Sequence, residues 1–401
     1  MISSDSLDWL TNEARRQLFG CRKIAADGTV LYTPDGTGQY DALWTRDFGY
    51  MVENAFDFIP QDHIQSAISY LLNGQRDDGC IPDRIYADGQ VVYCAGPVGQ
   101  PVAAPPLDNS QFMVKLVADF VRGSGDVDFF NEISAQLIRA MNYVPRSANG
   151  LVYNNPQQPH SPYGFTDTIA KTGELLFSSL LYWEACQRLV ELFEKLHDQK
   201  SARDFQKQAF LIEENLDTLW SEEDGMFLAA SMDCHQIDIW GNAYAIYIDF
   251  PLGAKRDQIM AYLERKFDNY VMKGQIRHLP RPEYWERTLI PIEPETYQNG
   301  AYWGTASGWI AFALFEKHPE LSRTIMTDLI ADYQQHSAHE CINNDYAKIK
   351  NYVVSVVNPL GAICKQKNVI PELQVTDRSL EAGTVRKYQI VERPVSNTVL
   401  Q

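Results

Sequence analysis

Residues 40–51 read YDALWTRDFGYM, and this stretch sets the terms of the fold. Trp44, Arg46 and Asp47 stand within four residues, at the start of a run with helical apolar spacing. A packed core accepts the indole and rejects the charges. A solvated face accepts the charges and seldom the indole. A flat, hydroxylated ring at the mouth of a helix would use all three.

The same helical spacing recurs along the chain. Apolar residues at three- and four-residue intervals predict helices near 6–19, 46–58, 61–74, 108–123, 127–146, 171–197, 200–220, 239–249, 254–267, 303–316, 319–336 and 351–365. Asp108, ahead of NSQFMVKLVADF, reads as an N-cap. Short β-like runs (GTVLY, GQVVYCA, GLVYN, GMFLAA) fall between helices. The connections alternate in length. FIPQD, GSGDVD and EKHPE are tight turns, whereas 76–107, 147–170, 221–238, 268–302 and 337–350 are long and rich in Gly, Pro, aromatics and carboxylates. Long loops inside a compact domain are usually functional. Six hairpins with short turns on one side and long loops on the other predict a closed ring of paired helices, its long loops sharing one face. The ring is expected to fill residues 1–365 as one domain, with 366–401 a polar tail.

Bulk properties narrow the chemistry. The 401 residues carry a net charge of −17, which argues against nucleic acid and anionic membranes and leaves a small neutral ligand. Aromatics reach 12%, with eight Trp and twenty-one Tyr, side chains that offer flat apolar faces with a polar edge. Seven scattered Cys without a CxxC pair fit reduced thiols in a cytoplasm. No leader and no apolar stretch of the ~20 residues that span a bilayer is visible. Walker, GxGxxG and HExxH patterns are absent, and His336 and His339 lack a matching Cys or carboxylate frame, so neither cofactor nor metal is expected.

Carboxylates and aromatics in the long loops remain. Asp167 follows Tyr163 and Phe165 in PHSPYGFTDTIAKTGELLF. Neighbouring aromatics would desolvate its carboxyl and raise its pKa, as a general acid requires, although an Asp ahead of a helix is also ordinary. Glu174, further along, has the same two readings. Glu340, in HSAHECINNDY, sits in a polar loop whose Asn343 and Asn344 would favour its ionised form. Gln298, Asn299 and Trp303, in YQNGAYWGTASGWIAFAL, open an apolar helix and would wall a hydroxylated ring. Glycoside hydrolysis with inversion needs two such carboxyls, ~6.5–9.5 Å apart, to leave room for water.

These segments resemble those of the six-hairpin glycosidases, an all-α group with an (α/α)6 barrel that includes glucoamylases, glycogen debranching enzymes and α-glucosidase I relatives. ALWTRDFGYM looks like their W-x-R-D segment lining the terminal-sugar site, and NGAYW like the N-G-x-x-W segment of debranching enzymes. GFTDTIAKTGELLF looks like the general-acid segment, implying Asp167 as acid. HECINND is similar to the base segment, implying Glu340 as base. The resemblance covers roughly residues 40–365. The Trp that relatives often carry beside the acid is replaced by Phe165, so Glu174 stays a rival. It implies an exo-acting, inverting glycoside hydrolase with a sugar-binding set of Tyr40, Trp44, Arg46, Asp47, Asn109, Tyr163, Glu174, Trp240, Gln298, Asn299 and Trp303. The rivals are a sugar epimerase of the N-acylglucosamine type, which needs His in the pocket (His278 is the candidate), a glycoside phosphorylase, and a non-catalytic sugar-binding protein.

Overall fold

The computed structural model describes residues 2–369. Among them, thirteen helices follow in order: α1 Ser4–Gly20, α2 Thr45–Ala55, α3 Gln61–Asn73, α4 Asn109–Ser124, α5 Val127–Tyr143, α6 Leu176–Lys195, α7 Gln199–Asn215, α8 Ile239–Tyr247, α9 Lys255–Arg265, α10 Phe267–Tyr270, α11 Ser307–Phe315, α12 Pro319–His336 and α13 Val354–Val369. All twelve predicted helices are present, and the single turn α10 is extra. The helix predicted from 171 starts later, at Leu176, because Gly173 and Glu174 pair as a strand with Asn154 and Tyr153. The boundary expected at 365 falls inside α13. Residues 370–401 lie outside the described residues.

Six helices form an inner ring. α2 packs on α4, α4 on α6, α6 on α8, α8 on α11, α11 on α13, and α13 returns to α2. The remaining long helices lie outside, α1 against α13, α7 against α6 and α12 against α11. Sequence pattern dictates the layer. The outer helix α7 buries only Ala202, Phe205, Ala209 and Ile212, one stripe at three- and four-residue spacing. The inner helix α11 reads SGWIAFALF, apolar all round, and such a helix is stable only when enclosed. The outer helices start cleanly: Asp126 and Asp198 accept hydrogen bonds from the backbone N–H groups of Phe129 (2.9 Å) and Ser201 (3.0 Å).

Long loops enter each inner helix and short links leave the first five, so all six inner N-termini point to the long-loop face. Small antiparallel ladders brace that face. Strands 42–44, 84–86 and 91–92 form one, with Trp44 opposite Arg84. Residues 339–343 pair with 346–350 as a hairpin, with Cys341 opposite Lys348, where the sequence predicts an irregular polar loop. The ring is closed by its ends: Asp35 bridges Tyr352, and Val353 N–H donates to the Pro34 carbonyl at 2.9 Å.

Candidate active site

A cavity of about 420 Å³ opens on the long-loop face. Seven sequence candidates line it: Tyr40, Trp44, Arg46, Asp47, Asp167, Trp303 and Glu340. Each comes from a long loop entering an inner helix or from that helix's first turn.

Arg46 lies in the first turn of α2 and is buried. Its Nη2 donates to Asp83 Oδ1 at 2.6 Å and its Nε to Asp108 Oδ2 at 3.2 Å. Asp108 therefore does not cap α4, as the sequence predicts. Its Oδ2 also accepts the Gly164 backbone N–H at 2.8 Å. Gly164 has to be glycine, since a Cβ there would fall 1.7 Å from Arg46 Nε. The guanidinium thus ties the loop before Asp167 to the loop before α4. Burial lifts the Asp47 carboxyl to about 7 against the opposing pull of Arg46, and Tyr352 Oη donates to its Oδ1 at 2.6 Å. Trp44 is sandwiched by polar neighbours: the Arg84 guanidinium sits 4.6 Å over its ring and Tyr40 meets it edge-on at 5.2 Å. Arg84 itself is committed to Asp83 and to the Gly96 carbonyl.

Asp167 closes a 3-10 turn, Gly164–Thr166, ahead of the helix rather than directly at its start. Burial pushes its carboxyl up to about 7, against Arg46 and a hydrogen bond from Gln298 Nε2 to Oδ1 at 2.8 Å. Of the aromatics expected beside it, Phe165 lines the cavity. Tyr163 points into the barrel instead, its hydroxyl 2.9 Å from that of Tyr50 and its ring stacked on Phe177.

Glu340 lies on the hairpin strand 339–343. Tyr40 Oη donates to its Oε1 at 2.8 Å, and Lys348 Nζ stands 3.2 Å from Oε2. Burial raises this carboxyl, while Lys348 and the Tyr40 hydrogen bond oppose the rise. Asn343 and Asn344 do not solvate it, contrary to expectation. Asn343 turns to Glu295, and Asn344 is exposed on the hairpin turn. Lys348 also packs on the Tyr297 ring, 3.3 Å from its centroid. Tyr297 lines the cavity with φ 41°, a conformation a bulky residue holds only where its surroundings impose it.

The other candidates stand elsewhere. Gln298 is a buried support, holding Asp167 and the Thr168 backbone N–H. Asn299 is buried and accepts the Trp285 N–H at 3.0 Å. Asn109 is buried in the first turn of α4, and Trp240 lies behind the wall, 3.8 Å from the His278 ring. Glu174 is apart from the cavity, accepting hydrogen bonds from Asn149 and Thr218. The small ladder that carries it turns it outward.

Arg84, Tyr352 and Lys348 escaped the sequence reading, whereas Tyr297, which the sequence places with Trp303 as a wall for a hydroxylated ring, does line the cavity. A signal existed for Lys348: HECIN and YAKIK flank a two-residue Asn-Asp turn, a hairpin spacing that places 348 across from 341.

No protein-family model matches the sequence, and no curated protein matches it. Solved structures do resemble it. GH63 mannosylglycerate hydrolase from Thermus thermophilus, in complex with Tris and D-glycerate, aligns over 88% of this chain and 99% of its own at 14% identity, with a TM-score of 0.66. A rhamnosidase from Klebsiella oxytoca with rhamnose bound aligns over 92% of this chain and 65% of its own at 15% identity, with a TM-score of 0.66. The GH78 family rhamnosidase of Bacillus sp. GL1 aligns over 91% of this chain and 35% of its own at 13% identity, with a TM-score of 0.62. With its closed double ring of helices, its loop-built cavity and these neighbours, the chain has an (α/α)6-barrel fold, shared with these solved structures.

Proposed function

We propose that the protein is a glycoside hydrolase that removes a terminal sugar from a small neutral glycoside by inversion. One observation carries this reading: two carboxyls from separate loops, Asp167 and Glu340, line one cavity in different surroundings. Asp167 is desolvated and meets a neutral amide. Glu340 faces an ammonium and a hydroxyl. Environments that differ in this way divide a carboxyl pair into acid and base. Asp167 protonates the glycosidic oxygen, and Glu340 takes a proton from water attacking the opposite face of the sugar. Asp47 and Trp44 hold the ring, and Arg46 fixes the loops around it. Trp303 and Phe165 belong to the wall, so the cavity receives a chain end, which supports exo action. The neighbouring mannosylglycerate hydrolase and rhamnosidases, named for such chemistry, add to the reading.

An epimerase is disfavoured because no histidine lines the cavity among the described residues. His278 is buried under Trp240, and burial holds its pKa well below the usual imidazole value. All seven cysteines are unpaired, which supports a reducing compartment such as the cytoplasm. No helix among the described residues is long and apolar enough to cross a membrane.

The test is a panel of α- and β-linked alkyl glycosides, aryl glycosides and disaccharides, with proton NMR of the first product. The expected result is hydrolysis of one glycone class with inverted configuration. A retained anomer would make Glu340 a nucleophile instead of a base.

The same carboxyls set a pH dependence. With Asp167 held at about 7, kcat/KM on alcohol-leaving substrates is expected to fall about tenfold per unit above roughly pH 7, as the acid loses its proton. A glycosyl fluoride, which needs little protonation, should not show that limb. Asp47 and Asp167 are both raised from 3.8 to about 7, so their contribution to folding is full below 3.8 and is lost as pH rises through about 7.

A further inference from the structure

The two sides of the cavity differ in chemistry. The Glu340 side is polar, built by Tyr40, Asp41 and Tyr297. Another part of the lining is apolar. Pro97 and Val102 come from the loop before α4, and Ile290 from the loop before α11. Ile290 is 39% exposed, and Val98, next to Pro97, is 48% exposed. Of these, Ile290 is an exposed apolar side chain that also lines the cavity, so an apolar group entering there would cover it.

Backbone hydrogen bonds fix which reacting group this rim serves. Leu289 N–H donates to the Thr168 carbonyl at 2.7 Å, and Ala170 N–H donates to the Arg287 carbonyl at 3.1 Å. Ile290 is thereby stitched to the strand that leaves Asp167. The other wall is tied to the segment that approaches it. Ala104 bridges His160, Leu107 N–H donates to the Ser161 carbonyl at 3.0 Å, and Ser161 Oγ donates to the Asp167 carbonyl at 3.0 Å. Both apolar walls therefore flank the carboxyl that protonates the departing oxygen, and the departing group leaves between them.

The cations at the cavity already stand against carboxylates. Arg46 and Arg84 are held by Asp83 and Asp108, and Lys348 stands on Glu340. The net charge of −17 adds to the mismatch. A carboxylate such as that of glycerate would lose its water without a partner.

We propose that Pro97, Val102 and Ile290 form an apolar leaving-group subsite that takes an alkyl or aryl aglycone in preference to a charged one or a second sugar. This rests on the hydrolase reading above. The experiment compares kcat/KM for methyl, hexyl and 2-phenylethyl glycosides, a disaccharide and a glyceric acid glycoside, all of one glycone. The simple alcohols leave with similar ease, so differences within that series report contact and not bond strength. Hexyl and 2-phenylethyl glycosides are expected to exceed methyl by about tenfold or more, since each CH2 removed from water favours the bound state. Ile290→Asp and Val102→Ser should each pull the hexyl-to-methyl ratio towards one. Ile290 is partly exposed on a loop, so its variant tests contact rather than folding. Hydrolysis of every alkyl glycoside at equal efficiency, or a preference for the disaccharide or the glyceric acid glycoside, would overturn the subsite and leave the hydrolase standing. No hydrolysis across all glycones would overturn both.

Discussion

Asp167→Asn is expected to lower kcat/KM on alkyl glycosides by about 10²–10⁴-fold, the range for loss of a positioned acid or base. Activity on the matching glycosyl fluoride should survive within about tenfold. The amide is nearly isosteric and can still meet Gln298, so folding is not the variable. Glu340→Gln should cost a similar factor on both substrates, because fluoride departure still requires water to be activated from the other face. The division follows from the partners. Gln298 offers Asp167 a neutral amide in a desolvated place, whereas Lys348 and Tyr40 face Glu340 with a charge and a donor. If Asp167→Asn kept full activity on the alkyl glycoside, the acid would have to be sought elsewhere. Glu174, standing apart from the cavity, would then need a rearranged loop to serve.

Arg46→Ala carries the second large effect, and it is an effect on stability. Asp83 and Asp108 are buried, and Arg46 bonds to both. Removing one member of a buried ion cluster leaves charge without compensation, which costs about 3–5 kcal/mol. Arg46→Lys is not expected to restore it, because a single ammonium cannot reproduce the planar fork that reaches two carboxylates. Chemical denaturation followed by circular dichroism reads the change directly. From sequence alone, Arg46 reads chiefly as a sugar ligand whose loss would weaken binding by about 1.5–3 kcal/mol. An unchanged denaturation midpoint with weakened sugar binding would restore that simpler role.

Arg46 illustrates what the sequence carries and what it withholds. Helix positions were legible because burial writes itself as periodicity: α11 is apolar all round and α7 along one stripe. The face that holds the site was legible from loop length. Pairings between loops were not, since no local pattern encodes which distant carboxylate meets a guanidinium. Asp108 shows the limit most plainly. Its position before α4 predicts a cap, yet its carboxylate serves Arg46 and the Gly164 N–H. Tyr163, Asn299 and Trp240 have the residue types of sugar-site walls, but neighbouring side chains draw them into the interior. Lys348 is set against Glu340 by hairpin register, a pairing between strands rather than a local pattern.

The closure of the ring by its own ends governs when the site comes into being. Tyr40 and Glu340 are 300 residues apart in sequence, and Asp47 and Tyr352 are 305 apart. The half of the site around Asp47 and Arg46 therefore waits for the last inner helix. During synthesis the chain must hold five-sixths of a barrel, with an open seam where α13 belongs, before Glu340 has its hydroxyl partner. Contacts of such long sequence separation form slowly, and an apolar seam left open is a place for aggregation. The assembled cavity is then a property of the finished circle alone, and a nascent or clipped chain ending before residue 353 would lack it whatever its helical content.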